Sequence, residues 1–276
     1  MGRGLNLSPW RFIHASELGT AHTSTGQPCQ DSHVVRVMTT GQDEPLLLIV
    51  TSDGAGSAAH SEEGSALVCE QALHWLEWRL SSGESFLTSE DGVALIHDLR
   101  TQLENYAAEE ERGYTLRDLA CTVNVAAVLP DQAWFLQVGD GTSIIQSEGE
   151  SLEVVFWPDN GEYANQTYFV TDVADEHIHA KVIEGALDRI SLMTDGLQTL
   201  ALVLQQKAAH PPFFEPLFRA VEGLEINDDE ALLALQAGLK RFLNSAGVNA
   251  RTSDDKTLVL CSRRTLSSEV QQEQVS

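Results

Sequence analysis

Positive charge is scarce in this sequence. Against 41 Asp and Glu stand only 17 Lys and Arg in 276 residues, a formal net charge of −24. So acidic a surface repels phosphate backbones and anionic headgroups, which argues against nucleic-acid and membrane partners. Cysteine is scarce too: Cys29, Cys69, Cys121 and Cys261 are scattered, with no C-x-x-C pair. That spacing excludes a zinc ribbon or a disulfide framework and fits reduced thiols in the cytoplasm. No apolar run approaches the roughly 20 residues that a spanning helix needs. The N-terminus has no secretory pattern, so Asn165-Gln166-Thr167 is read as a chance match to a glycosylation acceptor. No Pro/Gly/Ser-rich linker and no useful repeat divide the chain. One domain is expected over residues 1–265, followed by a polar, aperiodic and mobile tail over 266–276.

What is present is a series of well-patterned elements. "LLLIVTSDGAGSA", from Leu46 to Ala58, is an apolar run that reads as a buried strand and stops at Asp-Gly. "SEEGSALVCEQALHWLEWRL" opens on Glu62 and Glu63 and sets Val68, Ala72, Trp75 and Leu76 at helical spacing. A second helix follows in "DGVALIHDLRTQLENYAAEEE", with Leu95, Leu99, Leu103 and Tyr106 on one face. From Cys121 to Phe156 four short β-rich runs are separated by turns such as Pro130-Asp131 and Glu148-Gly149-Glu150, which predicts an antiparallel meander. Two more helices are expected, the second in "DDEALLALQAGLKRFLNSAG" with Gly247 as its stop, before a last strand over Thr257–Cys261. This order predicts an α+β fold in which helices cover antiparallel sheets.

The Asp-Gly stop recurs. "AWFLQVGDG" and "RISLMTDG" are apolar runs that end in Asp140-Gly141 and Asp195-Gly196, and Asp254-Asp255 leads into the last strand. One Asp-Gly is usually a turn; Asp91-Gly92, with no strand before it, is read as local structure at a helix start. Three at strand ends, with a fourth carboxylate opening a strand that runs the other way, can gather Asp53, Asp140, Asp195 and Asp254 at one sheet edge. Asp31 in "PCQDSH" can join them. Ionised carboxylates share a small space only with a cation or with shifted pKa values. An all-oxygen set suits magnesium, manganese or calcium better than zinc. The glycine after each Asp lets the backbone approach an ion or its waters.

In order and spacing, "CQDSH", "SDGAG", "CTVNVAAV", "VGDG", "TDGL" and "SDDKTLVL" resemble the metal-dependent protein phosphatase 2C family over Phe12 to Cys261. The resemblance implies a four-layer α-β-β-α sandwich of two antiparallel sheets flanked by helices. It also implies a bacterial, stand-alone phosphatase domain acting on phosphoserine and phosphothreonine, with a water bridging two Mn2+ or Mg2+ ions as nucleophile and a third ion possible. By position, Asp53 resembles the bridging carboxylate, Gly54 the residue lending a carbonyl, and Asp195 and Asp254 the other direct ligands. Asp140 resembles the third ion's ligand, Asp31 the residue that orients the attacking water, and Asp255 falls where the family often has Asn. The implied partner is a phosphorylated protein, either a Ser/Thr kinase or that kinase's target.

Three positions depart from the family pattern. Gln30 replaces an acid, Gly26 replaces the Arg that grips phosphate, and Ala55 stands where many relatives have a His that protonates the leaving group. His22 or Arg36 is the candidate substitute for the Arg, and His22, His33 or His60 for the proton donor. The alternative is a non-catalytic phosphoprotein-binding or scaffold module that keeps the metal site, and a third reading is hydrolysis of a small phosphorylated metabolite.

Overall fold

The computed structural model describes residues 9–82, 85–109, 111–159, 167–225 and 228–264. Asn165, the boundary at 265 and the expected tail lie outside these. In chain order the elements begin with β1 (Trp10–Glu17), α1 (Thr20–Thr25), β2 (Asp31–Thr39) and β3 (Pro45–Asp53). Helices α2 (Ser61–Ser81) and α3 (Ser89–Ala107) follow, then β4 (Val123–Val128), β5 (Gln132–Val138), β6 (Thr142–Gln146) and β7 (Glu153–Val154). The second half adds β8 (His179–Glu184), β9 (Arg189–Met193), α4 (Gln198–Ala201), β10 (Leu202–Val203) and β11 (Ala208–Ala209). It closes with α5 (Pro211–Glu222), α6 (Asp229–Leu243), α7 (Ala246–Asn249) and β12 (Lys256–Arg263).

Ten of the strands build two antiparallel sheets, in the orders β2-β3-β4-β5-β8 and β1-β12-β9-β6-β7. Side chains alternate across a strand, so a strand buried on both faces must be apolar throughout. In β3, Leu46, Leu48 and Val50 meet α2 and α3, while Leu47 and Ile49 meet the facing sheet. Strand β12 divides the same way: Leu258 and Leu260 lie under α5 and α6, and Val259 and Cys261 point between the sheets. Three apolar layers therefore separate four layers of secondary structure, as expected for an α-β-β-α sandwich. Helix α2 is seated by Val68, Leu73, Leu76 and Leu80, each worth about 1.5–3 kcal/mol when fully buried.

Topology delivers the chain's acids to one end. Strands β3 and β5 are both antiparallel to β4, so they finish at the same end. Strand β9 is antiparallel to β12, so β9 finishes where β12 begins. Asp31 opens β2 directly opposite Asp53 in the register. The gathering point is thus one end of two stacked sheets rather than the edge of one.

Several expectations need correction. The β-rich region is not one meander: the Pro130-Asp131 and Glu148-Gly149-Glu150 turns do close hairpins β4-β5 and β6-β7, but the chain changes sheets between β5 and β6. Gly139, at φ +94°, makes that crossing in three residues, and Asp140 sits in it. Gly247 does not stop α6. The helix ends at Leu243 with Asn244 as its cap, and Ser245 starts the separate turn α7 around Gly247. Asp91 behaves as expected of local structure, since its Oδ2 accepts the Thr88 N–H at 2.7 Å and its Oδ1 accepts from Arg79 Nε at 3.1 Å. The glycines after the aspartates serve protein contacts. A Cβ on Gly196 would stand 1.9 Å from the Asp255 carbonyl oxygen, and one on Gly54 2.7 Å from Ser61.

Gly196→Ala is therefore expected to lower stability by about 1–3 kcal/mol through overpacking. Gly247→Ala, where a Cβ meets nothing within 4 Å, should be neutral or stabilising by up to about 1 kcal/mol. Denaturant melts of the two variants compare them, and equal shifts would contradict the close approach of the two acid-bearing segments.

Candidate metal centre and active site

Asp53, Asp140, Asp195 and Asp254 line one cavity of about 190 Å³, with Gly54, Ala55 and Gly56 forming part of its wall. Asp31 lies below it, 6% exposed. Each acid arrives on a differently anchored segment. Asp53 ends the buried β3, and Asp140 is held by Thr167 Oγ1 at 2.8 Å, with its carbonyl accepting from Gln198 Nε2 at 2.8 Å. Asp195 follows β9, and Asp254 precedes β12.

Crowding of buried carboxylates raises their proton affinity. Burial, then the nearby Asp31 and Asp195, push the Asp53 carboxyl well above the usual range. Asp195 is pushed up to about 7 by burial and by Asp140. Asp31 is pushed up to about 8, mainly by burial, even though hydrogen bonds from Thr194 and Thr257 work against the rise. Burial likewise raises Asp140. Oδ1 of Asp31 and Oδ1 of Asp195 are buried with no hydrogen-bond partner. Buried acceptors of this kind are costly, and a hard cation or its waters would satisfy them. The donor set is all oxygen, which fits magnesium or manganese. Among the described residues only His60, Glu62 and Glu63 bring three ligand atoms within 4.8 Å of one another. Glu63 there is already bonded to Tyr106 and Tyr114, so that half-buried trio is a structural contact. The aspartates are spread more widely, which leaves room between them for waters or more than one ion.

Hydroxyl groups that the sequence did not single out hold Asp31. Its Oδ2 accepts from Thr194 Oγ1 at 2.7 Å and from Thr257 Oγ1 at 2.8 Å. Thr257 continues to Ser16 Oγ at 2.6 Å, Ser16 to His33 Nδ1 at 2.7 Å, and His33 Nε2 to His14 Nδ1 at 2.6 Å. Because Thr257 spends its only proton on Asp31, Ser16 must donate to Thr257 and His33 must donate to Ser16. Burial, then His14 and Lys240, lower the His33 pKa to about 4 and keep the ring neutral. The only sequence signal for this chain was a threonine beside two of the aspartate motifs.

The remaining candidates separate cleanly. His22 lines the cavity, and its Nδ1 is 3.0 Å from Asp255 Oδ2. Arg36 is exposed and paired to Glu77 at 2.8 Å; five residues along β2 from Asp31 amount to about 16 Å, so it is not at the cavity. His33 is committed to the chain just described, and His60 stacks on Tyr114 at 3.7 Å; neither lines the cavity. Gly26 caps α1 at φ +74°, so this position stops a helix. Asp255 accepts the backbone N–H groups of Gly19 and Gln30, both at 2.6 Å, and so ties the α1 segment to β12.

Residues 18–244 match the protein phosphatase 2C family. The chain is 35% identical over 252 residues to Serine/threonine-protein phosphatase 3 of Escherichia coli (strain K12), covering 91% of this chain and 97% of that one. Serine/threonine phosphatase Stp1 from Staphylococcus aureus superposes with a TM-score of 0.56 at 16% identity, over 96% of this chain and all of that one. The catalytic domain of serine threonine protein phosphatase PstP, in complex with two manganese ions, also gives 0.56, at 18% identity over 92% and 97% of the two chains. At these identities the two structures establish a shared fold.

The raised carboxyls set a direction for stability. A carboxyl with an ordinary unfolded pKa near 3.8 and a folded value of about 7 or 8 binds more protons when folded, so its contribution is present at low pH and lost as pH rises through the folded value. Chelator-treated protein should therefore melt at progressively lower temperature from pH 5 to pH 8, and manganese should remove most of that fall. A melting temperature indifferent to both pH and manganese would contradict the carboxylate cluster.

Proposed function

Because the chain belongs to the protein phosphatase 2C family, we propose that it is a metal-dependent protein-serine/threonine phosphatase that hydrolyses phosphomonoesters by direct attack of water. The observation that carries this reading is the cavity lined by four aspartates, with partnerless buried oxygens on Asp195 and, just below, on Asp31. Bound manganese or magnesium supplies Lewis acidity there, generating a nucleophile near neutral pH and neutralising phosphoryl oxygens. Asp53, the Gly54 carbonyl, Asp195 and Asp254 would hold two ions, and Asp140 with Asp195 would serve a third. Asp31 keeps Oδ1 free to accept from the attacking water while Oδ2 is saturated by two threonines. His22 faces the incoming phosphate.

A covalent cysteine route is unsupported. Cys69, Cys121 and Cys261 are buried, and burial raises each thiol, that of Cys121 to about 12, away from the reactive thiolate. Phosphoserine or phosphothreonine in a protein is the proposed substrate, carried by a Ser/Thr kinase or its target. Among the described residues no helix is long and apolar enough to cross a membrane, and we assign the enzyme to the cytoplasm.

Assays on a phosphoserine peptide and on sugar phosphates, with manganese and with chelator, test the reading. Turnover of the peptide alone, dependent on the metal, is expected. Asp53→Asn should reduce it to background, Asp140→Ala should give an intermediate loss, and Asp91→Asn, far from the cavity, should leave turnover near the parent value. Equal effects of Asp53→Asn and Asp91→Asn would remove Asp53 from the site.

A further inference from the structure

Among the described residues, the cavity lining holds four carboxylates and one residue able to carry positive charge, His22. The ring stands on α1 with its side chain 13% exposed, against an Asp255 side chain that is 2% exposed. Asp255 already accepts two backbone N–H groups at 2.6 Å, both suited to an ionised carboxylate. An ionised carboxylate only accepts, so the ring nitrogen facing it is Nδ1–H. The other nitrogen, Nε2, is thereby left for a ligand. An aspartate that fixes one imidazole nitrogen sets the tautomer and orientation of the ring. Ala55, also in the lining, has no proton to offer. Neither His33 nor His60 reaches the cavity.

We propose that His22, oriented by Asp255, is the catalytic acid that protonates the departing serine or threonine oxygen. This rests on the phosphatase reading above. As the water oxygen bonds to phosphorus and the P–O bond to the substrate breaks, the electron pair left on the side-chain oxygen takes the proton from His22 Nε2. The imidazolium becomes neutral imidazole, still donating Nδ1–H to Asp255. The proton released by the attacking water passes to solvent, and solvent returns one to Nε2 before the next turnover. Asp255 is a positioning residue, acting only through the ring.

Leaving-group dependence tests the assignment, because a nitrophenolate departs without a proton and a serine alkoxide does not. Turnover of a phosphoserine peptide and of p-nitrophenyl phosphate would be compared in the manganese-loaded parent, in His22→Gln and in Asp255→Asn. A general acid contributes about a hundred- to ten-thousandfold, so His22→Gln should lower peptide turnover by about that factor more than aryl turnover. Asp255→Asn should shift the same ratio less. Equal losses on both substrates in His22→Gln would overturn the proposal while leaving the phosphatase reading intact. Absence of turnover by the parent on either substrate would instead overturn that reading. Nitrogen-15 NMR of the metal-free protein, at a pH high enough for the ring to be neutral, gives a readout independent of activity: the Nδ1–H tautomer of His22 in the parent, with that preference lost in Asp255→Asn. A neutral ring carrying its single proton on Nε2 in the parent would overturn the proposal.

Discussion

Burial of several carboxylates together is the constraint on which this structure depends. Asp31, Asp53, Asp140 and Asp195 all have raised proton affinity, with burial as the largest cause in each case. Side chains on mobile loops would simply move apart. Here they are fixed to the ends of strands whose other residues are locked in three apolar layers. The packing energy of those layers, spread over dozens of side chains, opposes a cost of desolvation and, second to it, repulsion concentrated at one end.

Two polar ties join the sheets at that end. Thr194 and Thr257, both from the β9-β12 side, donate to Asp31 on β2 of the facing sheet. Asp255, just ahead of β12, accepts from Gly19 and Gln30 on either side of α1. Both are hydrogen bonds between buried groups, the kind that define geometry strictly because leaving either partner unmet is costly. The same Asp255 pairs with His22, so the element that closes the sandwich also holds a basic group at the cavity. Gly196 contributes by absence, since its bare Cα is what allows the Asp195 and Asp254 segments to touch.

Local pattern made much of this legible. The doubly apolar run before Asp53 marked a buried strand, and helical spacing from Val68 to Leu76 and from Leu95 to Tyr106 marked α2 and α3, because burial imposes periods of 2 and 3.6 directly on sequence. Strand β1 was overlooked, as "WRFIHASE" mixes Arg, His and Glu with its apolar residues and its partner β12 lies more than 230 residues away. Gly247 misled because a C-terminal glycine signal does not say whether Ser245 has already started a new turn.

By itself the sequence determined which residues are acidic strand ends, that the chain has an α+β order, and, through the ordered motifs, which family it resembles. Tertiary structure alone decided that β5 and β6 belong to different sheets, which puts Asp140 at the crossing. It also decided among the histidines: His22 reaches the cavity, His33 is spent on Ser16 and His14, and His60 lies against Tyr114. Arg36, equally plausible as a string of letters, is held by Glu77 on an outer surface. The physical reason is that periodicity reports only whether a side chain is buried, whereas contact across sheets depends on register and crossover, to which residues hundreds of positions apart contribute together.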